Sequence, residues 1–508
     1  MGLIALVLLV SFVAQVRGPK VADWSLFSFY DPGTTLKGDM LLAKGYVPTV
    51  DFGYTHGLVS LLVGRAGFAV LGRTPRAYFL LTLGLEMVMA WPLARLLIAL
   101  RLGRGGILIF LISLPIAIMP VYLTLTHPLE ALLLLLALAD HAEGRRSRAL
   151  AILTLCIFVK PSMAYVYGLV LVGLIVLSEI QNSEFRIQNW GERIWGIGKQ
   201  LLPAAAVMTV CFAGLSVWYG TGPVIHTMLP ITGAKTYAST GFGFLQPSGR
   251  SFWIQPEILK YVRTSLGVWL MIVAVSIPAM IWAAWQIVLG PKHSAQGVGN
   301  SSPLSMRVEL LFVFCALHLA FLFGFYGWPG SWTYYSYLPM LTLALLVSMV
   351  PLRRWAWAIL VLLLLAAHVE LAGTVMSDWT KKQETPAGLW VENEMLAEWD
   401  MVKATVAGKQ ALVMTNGWPA DLPANMEMPD AWFPEPGIPT AREIARIQKQ
   451  IERADCVVLW QHYHTEKVDT WDLPEYAALR PGFKIGFKGK YFTIMERGAA
   501  ATTTDMQP

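Results

Sequence analysis

Apolar runs recur through most of this 508-residue chain, at about 2–17, 56–72, 77–99, 105–122, 128–141, 148–160, 161–180, 200–219, 264–288, 308–326, 336–350 and 354–376. No other feature narrows the fold as much. A run of roughly 20 apolar residues crosses a bilayer as a helix, because backbone amides in hydrocarbon must be satisfied within the segment. The composition agrees, with 55% hydrophobic and only 14% charged residues, where soluble proteins carry about 25% charged. The expected fold is mainly α, a polytopic transmembrane helical bundle of about 11–13 spans. Several runs are shorter than a bilayer requires and are expected to tilt, break or re-enter.

The pattern breaks near residue 377. Residues 1–376 hold 25 Lys+Arg and 14 Asp+Glu, whereas residues 377–508 hold 14 and 19. The basic excess sits in short loops between apolar runs, as the positive-inside rule expects, and so does not signal a nucleic-acid partner. Arg101/Arg104, Arg145/Arg146/Arg148, Arg186/Arg193/Lys199, Lys292/Arg307 and Arg353/Arg354 are expected to be cytoplasmic. Segments 220–263, 327–335 and 377–508 then lie outside. Twelve crossings would put 18–55 on the wrong side, so one early run does not cross. The run at 56–72, which carries Arg65, is one choice; a merged or split helix between 77 and 141 is the other.

The first run has no basic leader and no clear small-residue cleavage site, so it reads as a retained signal-anchor helix. Cys156, Cys211 and Cys315 lie in apolar runs and Cys456 in an expected strand, with no spacing that suggests a disulfide framework or a metal knuckle. Residues 377–498 read as an external α/β domain. Strands are expected at 411–415 and 456–460, a terminal hairpin at 483–495, and an amphipathic helix behind the capping box Thr440-x-x-Glu443. Residues 499–508 read as a disordered tail.

The segment 18–55 is polar and acid-bearing. It runs Asp31-Pro32-Gly33, Gly38-Asp39, Lys44-Gly45-Tyr46-Val47-Pro48 and Asp51-Phe52, and Tyr54-Thr55-His56-Gly57 leads into the next apolar run. A carboxylate at a membrane edge is costly unless it has a task. Asp31-Pro32 also suits a helix N-cap followed by N1 proline, Asp51 before Phe52-Gly53 suits a turn, and Asp39 suits a solvated helix face.

Asp31, the Lys44–Pro48 element, Asp51-Phe52 and His56-Gly57-Leu58 together resemble the first external loop of the C-type integral-membrane glycosyltransferases. The similarity is to the bacterial branch related to protein O-mannosyltransferases and aminoarabinose transferase. It covers most of 1–376 as architecture, but only about 30 residues as motif. Two departures stand out: Asp31-Pro32 where two adjacent acids are common, and His56-Gly57 where Pro-Pro or Gly-Pro is usual. The resemblance implies transfer of a sugar from a polyprenyl-phosphate donor to a glycan, lipid or protein acceptor, at a bacterial inner membrane. Such a reaction needs a base for the acceptor hydroxyl and cations for the leaving phosphate. Asp31 is the candidate base, Asp51 a second catalytic candidate, and His56 a phosphate contact or proton relay. The resemblance does not require a metal and no ligand set stands out, so a divalent cation is left open as a cofactor.

Three further residues are candidate donor-phosphate contacts. Lys160-Pro161 interrupts the apolar stretch 149–180 at the expected outer face, where its lysine either meets an anion or snorkels. Arg250 lies in the glycine- and aromatic-rich segment 220–263, and its guanidinium can bind two phosphate oxygens. Tyr335 closes the aromatic element Trp328–Tyr335, which also suits an interfacial belt. Glu86, Glu130, Glu309 and Glu370 share no face. Two other readings remain open: a lipid or glycan flippase or transporter, although neither repeated halves nor midplane polar residues are evident, and a non-catalytic scaffold of envelope glycan assembly.

Overall fold

In the computed structural model the chain is mainly helical, with a small sheet near the C-terminus. The structure describes residues 1–17, 30–117, 124–181, 190–229, 276–288, 303–320, 337–349, 353, 355–363, 365, 369, 382–414, 418–419, 421–432, 440–460 and 477–498. The chain divides into two compact units. One comprises Met1–Val16, Thr55–Val63 and Leu80–Val375; the other comprises Arg17–Tyr54, Gly64–Phe79 and Met376–Pro508.

Helices before the sheet include α1 Gly2–Arg17, α2 Tyr30–Ala43, α3 Leu58–Leu71, α4 Pro75–Ala99, α5 Arg104–Ala117, α6 Thr126–Ala142, α7 Arg146–Ile157, α8 Pro161–Gln181, α9 Trp190–Tyr219, α10 Thr221–Met228, α11 Ser276–Val288, α12 Pro303–Ala320 and α13 Tyr337–Met349. Among the described residues, three helices are long and apolar enough to cross a membrane: Pro75–Ala99, Pro161–Ile180 and Ile194–Tyr219. Leu169, Leu202, Val210, Val217 and Trp218 on α8 and α9 are exposed. So extensive an apolar surface suits lipid and not water, and the chain is a multi-pass membrane protein. This is fewer full-length spans than the 11–13 expected. The 14 residues of α3 rise only about 21 Å against a hydrocarbon core of about 30 Å. The expected runs at 105–122, 264–288, 308–326, 336–350 and 354–376 extend into residues outside the described ones.

In the first unit α7 packs against α6, α8 and α9, and α5 against α13. Gly106 allows the latter approach: a Cβ there would lie 2.8 Å from the Ala344 carbonyl oxygen, the close backbone contact that small residues permit between membrane helices. Leu134, Leu138, Leu153, Leu171, Leu310 and Phe314 are core residues. The C-terminal end of α6 carries a charge network. Buried Asp140 pairs with Arg95 and with Arg148 at 2.7 Å. Glu309 accepts from Arg146 at 2.7 Å and meets His141 Nε2 at 3.2 Å.

The second unit contains β1 Lys382–Glu384, β2 Trp390–Glu392, α14 Asn393–Thr405, β3 Ala411–Met414, β4 Met426–Glu427, α15 Ala441–Arg453, β5 Cys456–Trp460, β6 Phe483–Lys488 and β7 Phe492–Arg497. The five-stranded sheet has the order β4-β3-β5-β7-β6. Strands β4, β3 and β5 are parallel; β7 is antiparallel to both β5 and β6. The strands expected at 411–415 and 456–460, the terminal hairpin and the helix behind Thr440 are therefore present. The capping box is formed in both directions, and Ile447 and Ile451 pack on Leu412 and Val457. Helix α2 starts at Tyr30. Asp31 therefore lies inside the first turn and not before it as an N-cap, and Pro32 in that turn costs no hydrogen bond.

Candidate functional site

In the first unit a close backbone contact builds a buried polar cluster. Helix α7 ends at Ile157 and α8 starts at Pro161, which lacks an N–H and cannot extend the preceding helix. The carbonyls left over at the end of α7 are taken by the incoming loop. Gly57 N–H donates to the Val159 carbonyl at 2.9 Å and Val59 N–H to the Phe158 carbonyl at 3.0 Å. A Cβ on Gly57 would sit 2.1 Å from the Phe158 oxygen, so only glycine allows this approach.

That contact brings His56 and Lys160 into one cluster. His56 is 6% exposed and Lys160 5%. The N-terminal part of α6 supplies the other members. Lys160 Nζ lies 3.3 Å from the Glu130 carboxylate, which is fully buried. The His56 and His127 rings meet edge to face with centroids 6.2 Å apart. His127 Nδ1 lies 3.1 Å from Thr124 Oγ1. Burial, and then the Lys160 cation, push the His56 imidazole down to about 3. His56 is therefore neutral near pH 7 and offers a single N–H donor. The cluster sits toward the end of α6 opposite the Asp140 network; at about 1.5 Å per residue the helix rises roughly 15 Å from Glu130 to Asp140.

The second unit holds the two candidate acids. Asp31 lies in the first turn of α2; its side chain is outside the described ones. Asp51 lies in the turn after Pro48. Its carboxylate accepts from Val47 N–H at 2.8 Å and from Arg442 at 2.6 Å. Burial raises this carboxyl, but the Val47 N–H and the Arg442 guanidinium outweigh it and hold the group below the usual carboxylate range. Asp39 is buried and paired with Arg73 at 2.6 Å and Arg65 at 3.6 Å, not on a solvated face. Helix α2 turns it toward these arginines.

Of the six candidates, His56 and Lys160 come together. Asp31 and Asp51 lie in one unit. Arg250 and Tyr335 lie outside the described residues. Sequence reasoning missed the pairing of Glu130 with Lys160 and the part of His127, although His127-Pro128 marks a helix start. Among the described residues no group of His, Cys, Asp and Glu is arranged to hold a metal ion.

No protein-family model and no curated protein matches the chain. Among solved structures it is similar to the crystal structure of ArnT from Cupriavidus metallidurans bound to undecaprenyl phosphate, with 98% of each chain covered, 12% sequence identity and a TM-score of 0.36. At that level individual positions of the two chains are not equated.

Proposed function

We propose that this chain is a membrane glycosyltransferase that moves a sugar, with inversion, from a polyprenyl-phosphate donor to an acceptor outside a bacterial inner membrane. The observation that carries this reading is the buried His56–His127–Glu130–Lys160 cluster at one end of the apolar bundle. It is entered by the very loop whose motif resembles that enzyme class. A buried lysine is expensive unless it meets an anion. Glu130 fills that need in the free protein, and a lipid-linked phosphate competes for it when donor binds. Neutral His56 adds a hydrogen bond without adding charge, His127 lies beside it, and Arg250 and Tyr335 are assigned to the same phosphate.

In this reading the acceptor hydroxyl attacks the anomeric carbon on the face opposite the phosphate. Asp31 takes the hydroxyl proton as the C–O bond to the phosphate breaks, and the polyprenyl phosphate leaves with that electron pair. Asp51, already bound to Arg442, serves the loop and not the proton transfer. Residues 1–376 form the catalytic domain and 377–498 an external domain. The test is incubation of purified protein and membrane extract with a panel of radiolabelled polyprenyl-phosphate sugars. Label should pass to a glycan, lipid or protein; no transfer from any donor, with acceptor present in the extract, would reject the reading.

A further inference from the structure

The start of α15 grips the acid-bearing segment at several points within the second unit. The fully buried Glu443 carboxylate accepts from three backbone N–H groups: Gly53 at 2.6 Å, Thr440 at 2.7 Å and Trp432 at 2.9 Å. Thr440 Oγ1 donates to the Asp51 carbonyl at 3.2 Å, and Arg446 donates to the same carbonyl at 2.6 Å. Arg442 holds the Asp51 carboxylate, and the Arg446 guanidinium lies 4.2 Å over the Tyr46 ring. The Trp432 indole N–H donates to the Thr34 carbonyl at 3.0 Å, and its ring packs edge to face on Tyr54 with centroids 4.9 Å apart. Lys44 pairs with Asp430. Lys37 of α2 is fully buried and feels both Glu443 and Asp430.

A capping box needs only Thr440 and Glu443. The bonds from Gly53 and Trp432 go beyond it, and most bonds to 47–53 engage backbone, so they fix the path of the chain. The path is strained: Thr49 has a φ of 64°, a left-handed conformation that non-glycine residues hold only when their surroundings impose it.

We propose that the start of α15 is the positioning element for the acid-bearing segment, with Glu443 at its centre, so that the C-terminal domain sets the path of residues 31–54. The consequence for catalysis rests on the function proposed above; the grip itself does not. The test is amide hydrogen exchange on the full chain in detergent, comparing wild type with Glu443→Ala and with Glu398→Ala. Glu398 is the control, because it too accepts backbone N–H groups, from Lys490, Tyr491 and Phe492, but none from the segment. Exchange over 47–53 is expected to rise about tenfold or more in Glu443→Ala and to stay unchanged in Glu398→Ala. Should Glu443→Ala not fold, Arg442→Ala with Arg446→Ala replaces it. Sugar transfer by the loosened variant should lose about 100-fold in kcat with donor KM within about twofold of wild type.

Unchanged exchange over 47–53, or equal loosening by Glu398→Ala, would overturn the grip. A loosened segment with undiminished kcat would overturn its positioning role. If wild type transfers no sugar, the functional reading fails, while the exchange comparison still decides the grip.

Discussion

At the residue scale Gly57 and two buried bases, His56 and Lys37, matter most. Gly57→Ala places a methyl group against the Phe158 carbonyl, so the loop must move away. The expected cost is about 1–3 kcal/mol or more, read as a lower melting temperature in detergent. His56 carries a pH signature. Its folded pKa, about 3, lies below the ordinary 6.5, so between those values the unfolded chain binds the proton and the folded chain does not. Its contribution to stability should fall as pH drops through this window and be flat above it; His56→Gln should make the slope in this window shallower. Lys37, lowered from 10.5 to about 7 by burial against the opposing pull of Glu443 and Asp430, works in the other window. Stability should rise with pH between those two values, a rise absent in Lys37→Met, as measured by denaturant melts at each pH. Sequence alone made Lys160 and His56 conspicuous as polar residues in apolar surroundings. Their partner Glu130 was not legible, because 30 residues separate it from Lys160 and no local periodicity joins them.

The break between α7 and α8 is an element-scale feature that was legible, since Lys160-Pro161 interrupts a continuous apolar stretch and proline ends a helix. What it does follows from α6, which brings a carboxylate beneath it. Lys160→Met should destabilise the protein by about 3–5 kcal/mol, because Glu130 is left buried without its cation. The double variant Lys160→Met with Glu130→Gln should regain most of that stability and still fail to bind polyprenyl phosphate. Recovery of both stability and binding would make the pair structural. Melting curves beside a lipid-phosphate binding assay separate the two outcomes. The strands of the C-terminal domain were legible for a different reason: Ala411–Met414 and Cys456–Trp460 are short apolar runs closed by polar residues, a purely local pattern.

For the whole molecule, the hydropathy pattern sufficed for a helical membrane bundle but not for the number of crossings. Several apolar helices stop short of a bilayer's thickness, and only their neighbours decide how they lie. The grouping of Arg17–Tyr54 and Gly64–Phe79 with Met376–Pro508 was illegible, because bonds such as Gly53 to Glu443 span 390 residues. Topology is open to a direct check. A cysteine at Arg145 should react with a membrane-impermeant thiol reagent only after the cells are opened, and one at the exposed Met401 should react from outside. One comparison decides the chemistry: sugar transfer from a radiolabelled polyprenyl-phosphate donor by wild type and by Asp31→Asn, with donor binding measured in parallel. The expected result is transfer by wild type and a loss of about 100-fold or more in the variant, with donor binding retained. Transfer at the wild-type rate by Asp31→Asn would contradict the assignment of Asp31 as the base.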